Sequence, residues 1–171
     1  MSVPLEQFSL RPFEGRHAPT IVGWPQSVEE ARWWAGPATT WPPHPSVMER
    51  WHADPEVHPY VLSNQSAVIG YGELWLDAEE QEVELARLIV APERRGQGVG
   101  RRLVRLLLQH AEGTGYPYAF LRVFPENRAG IACYLKSGFA QVSPAEQQRF
   151  NQGQPVDYLW MRYALQPADE T

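Results

Sequence analysis

An α/β (α+β) domain is what this sequence predicts, and three observations carry the prediction. Apolar residues alternate or cluster with β-branched neighbours at 7–13, 60–63, 67–76, 82–91 and 118–124, the signature of strands. Residues 98–112 instead space Val99, Leu103, Leu106, Leu107, His110 and Ala111 at the helical period, with Arg101, Arg102, Arg105 and Gln109 largely on the opposite side. A turn rich in glycine joins the strand at 82–91 directly to that helix.

The first strand sets Phe8, Leu10 and Pro12 on one side and Ser9, Arg11 and Phe13 on the other. Residues 17–54 change character, holding Trp24, Trp33, Trp34, Trp41 and Trp51 interleaved with prolines. Ser27 is an N-cap residue with Glu30 three places on, which predicts a short helix from there to about Ala35; a second short helix fits 46–52. The runs at 60–63 and 67–76, separated by Asn64, Gln65 and Ser66, read as a hairpin. An acidic turn at 77–81 leads into the third run, which Pro92 ends. Gly113, Thr114 and Gly115 stop the long helix. After the strand at 118–124 the pattern predicts a helix over 127–137, a strand over 139–142, a polar loop over 143–155, a last strand over 156–165 and a loose tail over 166–171.

A chain of 171 residues suits one core, and 43% hydrophobic against 20% charged residues is the balance of a folded protein. Fifteen basic residues against twenty acidic ones give a net charge of −5, without the basic face that neutralises nucleic-acid phosphates. No run approaches the roughly 20 apolar residues of a membrane span, and the N-terminus lacks the apolar stretch of a secretory signal, so a cytoplasmic protein away from membranes is expected. One cysteine, Cys133, leaves no disulfide framework and no cysteine-rich zinc site. The histidines show no H-E-x-x-H spacing, so no metal is expected, and no G-x-S-x-G elbow marks a serine hydrolase.

Chemistry concentrates at the glycine-rich turn. Gly96, Gly98 and Gly100 leave backbone N–H groups uncovered where a helix begins and its dipole favours negative charge, a place for a phosphate or pyrophosphate. A G-x-G-x-x-G pattern would need glycine where Arg101 stands, and no G-x-x-x-x-G-K-[ST] occurs, which disfavours a dinucleotide fold and a P-loop. The rival reading is a tight turn with no ligand; two preceding arginines, Arg94 and Arg95, weigh towards an anion.

The run Arg95-Gly96-Gln97-Gly98-Val99-Gly100 resembles the R-x-x-G-x-G coenzyme A motif of the GNAT superfamily of N-acetyltransferases, and the preceding Leu88-Ile89-Val90-Ala91 is similar to that family's fourth strand. A second segment, N-R-A-G-I-A-C-Y-L-K-S-G-F from Asn127 to Phe139, is similar to the family's later motif, with Tyr134 seven residues after the asparagine; Gly130 departs from the alanine common there. The resemblance is specific over 82–139 and topological elsewhere. It implies a GNAT-like mixed, mostly antiparallel central sheet of six to seven strands flanked by helices. It also implies a single acyltransferase domain over 1–171, with an acetyl-CoA-binding core at 82–139 and a variable helical acceptor-side segment at 27–54. The implied activity is transfer of an acetyl group from acetyl-CoA to a primary amine, by direct attack in a ternary complex.

By the same resemblance, N–H groups of Arg95, Gly96, Gln97, Gly98, Val99 and Gly100 carry the pyrophosphate, while Leu88, Ile89, Val90 and Asn127 hold pantetheine. Asn127 reads equally as a helix N-cap. Arg101, Arg102 and Arg105 either reach the 3′-phosphate or form a solvated helix face. A departing thiolate, with a free pKa of about 8.5, gains from a proton donor, and Tyr134 matches the family's acid; without the motif it reads as a core tyrosine. Cys133 in the same helix reads as a small core residue.

An attacking amine of pKa about 10.4 must first lose a proton. Glu84, placed by parity with Ala86, Leu88 and Val90, is the first candidate base, Glu73 and Glu82 are the next, and a water relay is the alternative. The acceptor side falls to 27–54 and 143–155, where Trp33, Trp34, Trp41 and Trp51 either wall a pocket for an amine or pack the core. The acceptor is a small amine, an amino acid or antibiotic, or a protein amine, and relatives suggest a homodimer. Two rivals remain: a noncatalytic acyl-CoA sensor of the same fold, and a nucleotide-binding protein.

Overall fold

The computed structural model describes residues 7–65 and 67–166. Its strands are β1 (Phe8–Pro12), β2 (Val57–Asn64), β3 (Ala67–Asp77), β4 (Glu82–Val90), β5 (Tyr118–Val123), β6 (Ala140–Gln141) and β7 (Leu159–Ala164). They form one sheet in the order β1-β2-β3-β4-β5-β7-β6. Neighbouring strands from β1 to β4 are antiparallel; short turns join β2 to β3 and β3 to β4, whereas residues 13–56 connect β1 to β2. The β4–β5 pair is parallel, and parallel neighbours need a crossover, which α4 (Val99–Glu112) supplies.

The helix α4 forms because its apolar positions recur at the helical period, and it buries Val99, Leu103, Val104, Leu107, Leu108 and Ala111 while Arg101, Arg102 and Arg105 stay exposed. It lies close on β3: a Cβ at Gly72 would stand 2.8 Å from Leu107 Cδ1. On this face it packs with Leu74, Val83, Leu85 and Leu121. The opposite face is covered by α1 (Ala18–Ile21), α2 (Val28–Ala35) and α3 (Ser46–His52), which set Ile21, Trp34 and Met48 on Val61, Tyr71 and Ile89. Then α5 (Arg128–Lys136) packs beside α4, and α6 (Pro144–Phe150) presents Phe150 to Phe120 and Trp160.

The main departure from expectation is α6, which occupies most of the stretch expected as polar loop. Ser143 accepts from the Glu146 N–H while Glu146 reaches back to the Ser143 N–H, a complete capping box with proline at the first helical position. Those signals are local and stand in the sequence, but the helix has no apolar period to announce it. A short turn at Gly15–His17 and α1 were likewise unannounced. The strand expected from residue 60 starts at Val57, and the last one is confined to Leu159–Ala164. Gln65 turns the expected hairpin at φ 53°; Ser66 and tail residues 167–171 lie outside the described residues. No helix among the described residues is long and apolar enough to cross a membrane.

One bend in β4 matters more than any of these. Arg87 sits at φ 49°, and the register with β3 slips by one residue there: Tyr71 faces Ile89, but Glu73 faces Ala86. An extra residue on one strand reverses the side on which every later side chain emerges. Leu88 therefore lies against Gly72 and Leu103 on the α4 side, while Glu84, opposite Trp75, points to the other face. The expected shared parity of Glu84 with Leu88 and Val90 is thus overturned by the bulge.

Leu107 is fully buried and Leu135 is 48% exposed. Denaturant unfolding of Leu107→Ala should show a loss of about 2–5 kcal/mol, whereas Leu135→Ala should stay within about 0.5 kcal/mol.

Candidate active site

Beyond Glu84 the pairing of β4 with β5 stops: the registered pairs are Glu82 with Tyr118, Val83 with Ala119 and Glu84 with Phe120. The strands then part, and between residues 84–90 of one and 121–124 of the other opens a cavity of about 840 Å³. Ala91 N–H bonds Ile69 O across to β3 at 2.9 Å. By the alternation of an antiparallel ladder, Ile89 also turns its backbone groups to β3, while Leu88 and Val90 turn theirs to the open edge. Ile89 backbone is therefore committed to the sheet, and Leu88 and the Val90 N–H face the open edge, the Val90 carbonyl being held by Arg95 Nε.

One end of the cavity is the glycine-rich turn. Gly96 and Gly98 adopt φ 74° and 81°, conformations that favour glycine, and a Cβ at either would meet nothing within 4 Å. Gly98 caps α4 with no side-chain hydrogen bond. The N–H groups of Val99, Gly100 and Arg101 fall in the first turn, where no carbonyl one turn back can receive them; Arg102 N–H is the first to close, on Gly98 O at 3.2 Å. Gly100 serves packing, since a Cβ there would come within 3.3 Å of Cys133 Sγ on α5.

The arginines divide. Arg95 donates from Nε to Val90 O at 3.0 Å, from Nη2 to Trp24 O at 3.1 Å and from Nη1 to Glu30, so its charge is neutralised and it ties α2 to the turn. The expectations that Arg95 adds charge at the cradle and offers its N–H there are both corrected, since Glu30 pairs with the guanidinium and the N–H closes on Pro92 O at 3.3 Å. Arg101 borders the cavity, with Nη2 3.4 Å from Lys136 O, whereas Arg102 lies over the Phe8 ring. Gln97 side chain bonds Glu93 O at 3.0 Å, leaving its backbone as the part facing the turn.

From α5 come Asn127 and Tyr134, both lining the cavity. Asn127 is the N-cap, with Oδ1 accepting from Gly130 N at 3.0 Å. A Cβ at Gly130 would stand 2.7 Å from Asn127 Nδ2, so a larger residue there requires the Asn127 amide to shift. Tyr134 packs edge-on to Phe139, and among the described residues its hydroxyl has no hydrogen-bond partner. Burial pushes its phenol above the usual range, so it keeps its proton at neutral pH. Burial also raises the neighbouring Cys133 thiol.

The other end holds Glu84. Since β4 rises about 3.3 Å per residue, six residues separate it from Val90 by roughly 20 Å. Arg122 grips it with two prongs, Nε to Oε1 at 2.8 Å and Nη2 to Oε2 at 3.3 Å, and donates from Nη1 to Gln154 at 2.9 Å. Burial pushes the Glu84 carboxyl up, and Arg122 pulls part of that shift back. Glu73 is fully buried behind the wall, accepting from Tyr71, from Trp75 at 2.8 Å and from Arg87 at 2.7 Å. Glu82 borders a separate cavity of about 350 Å³, which Glu84 also borders. Neither Glu73 nor Glu82 touches the main cavity.

The tryptophans split as well. Trp33 and Trp34 line the cavity, Trp51 stands behind it edge-on to Trp34, and Trp41 is 46% exposed. Both segments expected on the acceptor side contribute, α2 from one and Gln154 with Pro155 from the other. Sequence reading missed Arg87 and Arg122. Each is the one basic residue of its strand and has apolar neighbours on both sides, Leu85-Ala86-Arg87-Leu88 and Phe120-Leu121-Arg122-Val123, and that was the available signal.

The model of the acetyltransferase (GNAT) family matches residues 26–139 of this chain. Mycothiol acetyltransferase of Streptomyces coelicolor is 31% identical over 121 residues, covering 65% of this chain and 39% of that protein. The N-alpha-acetyltransferase RimI of Mycobacterium tuberculosis is 32% identical over 104 residues, covering 60% and 63% respectively. The chain thus spans less than two thirds of the length of these curated relatives. Among solved structures, spermidine N-acetyltransferase from Vibrio cholerae in complex with CoA and spermine superposes at a TM-score of 0.71 and 20% identity, covering 93% of this chain and 96% of that one, a likeness of fold. The parted parallel strands, the uncapped helix start between them and a family match over two thirds of the chain lead to one assignment: this chain belongs to the GNAT acetyltransferase family.

Proposed function

We propose that this chain is an N-acetyltransferase that moves an acetyl group from acetyl-CoA to a primary amine, by direct attack in a ternary complex. The observation that carries the reading is the gap between β4 and β5, continuous with the uncapped start of α4 inside one cavity. Acetyl-CoA supplies an activated thioester and a thiolate leaving group. The free N–H groups around Gly98, Val99 and Gly100 suit its diphosphate, because they are unpaired donors at the positive end of a helix dipole. Arg101 at the rim suits the remaining phosphate. The open edge at Leu88 and Val90 is what an extended pantetheine arm pairs with, as an added strand would.

Tyr134 is the proton donor for the thiolate: it lines the cavity, keeps its proton at neutral pH and has a hydroxyl uncommitted among the described residues. Asn127 holds the arm from the other side with the amide nitrogen its cap leaves over. Glu84 takes the amine's proton, directly or through water, with Arg122 fixing the direction of its oxygens. One observation favours the rival reading of a noncatalytic acyl-CoA sensor, namely that both oxygens of Glu84 are already held. Thiol release across an amine panel separates the two, since a sensor binds the donor without turnover.

In that assay Tyr134→Phe should lower kcat by about 10²-fold with donor affinity unchanged, because a general acid contributes at least that much. The pH profile of kcat gives a second check. A base must be deprotonated to act, so activity should fall as pH drops through a carboxyl pKa raised above the ordinary value of about 4.3, and Glu84→Gln should remove that acid limb. An acid limb that persists unchanged in Glu84→Gln would rule out Glu84 as its source.

A further inference from the structure

We propose that Arg87 receives a carboxylate of the acceptor, so that the amine acetylated belongs to an amino acid with a flat apolar body. The inference rests on the donor reading above and names what fills the other end of the same cavity.

Arg87 borders that end, and much of the surrounding structure is spent on presenting it. Its backbone sits in the left-handed region, where a residue with a Cβ is uncommon. Its carbonyl accepts from the Trp34 indole at 2.9 Å. Its guanidinium lies 4.0 Å from the Trp51 ring centroid and 4.9 Å from that of Trp75. Nη1 donates to Glu73 at 2.7 Å, and among the described residues that carboxylate is its one hydrogen-bond acceptor. Glu73 is fixed in turn by Tyr71 and Trp75, and His52 Nε2 meets the Tyr71 hydroxyl at 2.8 Å. Burying an ion pair is a poor source of stability, and backbone strain persists where the surroundings impose it. An arginine held this way keeps the rest of its planar fork for a ligand, and a carboxylate matches that fork.

The charges around the cavity point the same way. The carboxylates on its wall, Glu30 and Glu84, are already paired, with Arg95 and Arg122. A polycationic acceptor has to compete with those arginines for each acid. Arg87 and Arg122 lie 4.9 Å and 5.4 Å from the centre of the same Trp75 ring, so an anion at Arg87 sets a short molecule's amine near Glu84. Trp33, Trp34 and Tyr158 supply flat walls for an apolar body.

The test compares L-phenylalanine, L-phenylalaninamide and phenethylamine, with matching sets built on tryptophan and methionine and with spermidine as the polycation. Turnover is read by thiol release, and binding by calorimetry with and without saturating coenzyme A. In the wild-type protein the amino acid should exceed its amide in kcat/KM by about 10- to 100-fold, the range of a charge-assisted hydrogen bond. The amide's amine is the less basic, so chemistry alone favours the amide and cannot produce that order. Arg87→Lys keeps a charge for Glu73 but loses the fork, and it should narrow the gap; a merely structural Arg87 leaves the ratio where it was. Equal or better use of the carboxylate-free amines or spermidine overturns the proposal while leaving the donor reading intact. So does a panel in which nothing binds or reacts although coenzyme A binds. Carboxylate-dependent binding without any coenzyme A binding supports the proposal and counts against the donor reading.

Discussion

A single extra residue in β4 governs the molecule. With Arg87 inserted at φ 49°, the strand keeps its ladder with β3 on both sides of the bulge while its side-chain parity reverses. A bulge also bends and twists its strand, and the β4–β5 ladder has already ended at Glu84, three residues before it. The two ends of β4 consequently do different jobs. Glu82 and Glu84 present carboxylates to the face covered by the tryptophans, and Leu88 and Val90 put apolar side chains under α4 while facing the open edge with their backbone.

Everything around the gap holds it open. On one side α4 is fixed by Leu103 and Leu107 beneath it and begins where the free edge ends, so donors from the helix start and from the strand line one space. On the other side Arg95 clamps α2 to the turn through Trp24, Glu30 and Val90. A residue that the family motif associates with the cofactor acts here as a brace, and the diphosphate reading rests on N–H groups rather than on its charge. Arg122 is the counterpart at the far end, joining Glu84 to Gln154 and lying against Trp75, Tyr158 and Trp160.

What the sequence made legible and what it hid follow from range. The helix α4 was readable because Val99, Leu103, Leu107 and Ala111 repeat at one period and are buried, although His110, read onto the same face, is exposed; the Gly98 cradle was readable because its signal is a short string. Asn127 as an N-cap needed only the start of a helix. The parity of Glu84 was misread because a bulge is a relation between two strands: nothing local in Glu-Leu-Ala-Arg-Leu marks where the partner slips. The pairing of Glu84 with Arg122 spans 38 positions, and the enclosure of Arg87 by Trp51, Glu73 and Trp75 draws on three elements. The helix α6 is the opposite case, a capping box that was local and simply outweighed by the lack of an apolar stripe.

The central claim is that two sets of backbone N–H groups facing one cavity, on the free edge of β4 and in the first turn of α4, receive the donor. It is tested most directly by recording amide resonances of the ¹⁵N-labelled protein as coenzyme A is added. The account predicts that the N–H signals of Leu88, Val90, Gly98, Val99 and Gly100 shift together and saturate at one concentration, while that of Ile89, bonded into the sheet, moves far less. Signals at Gly98, Val99 and Gly100 that stay in place while others saturate would contradict it.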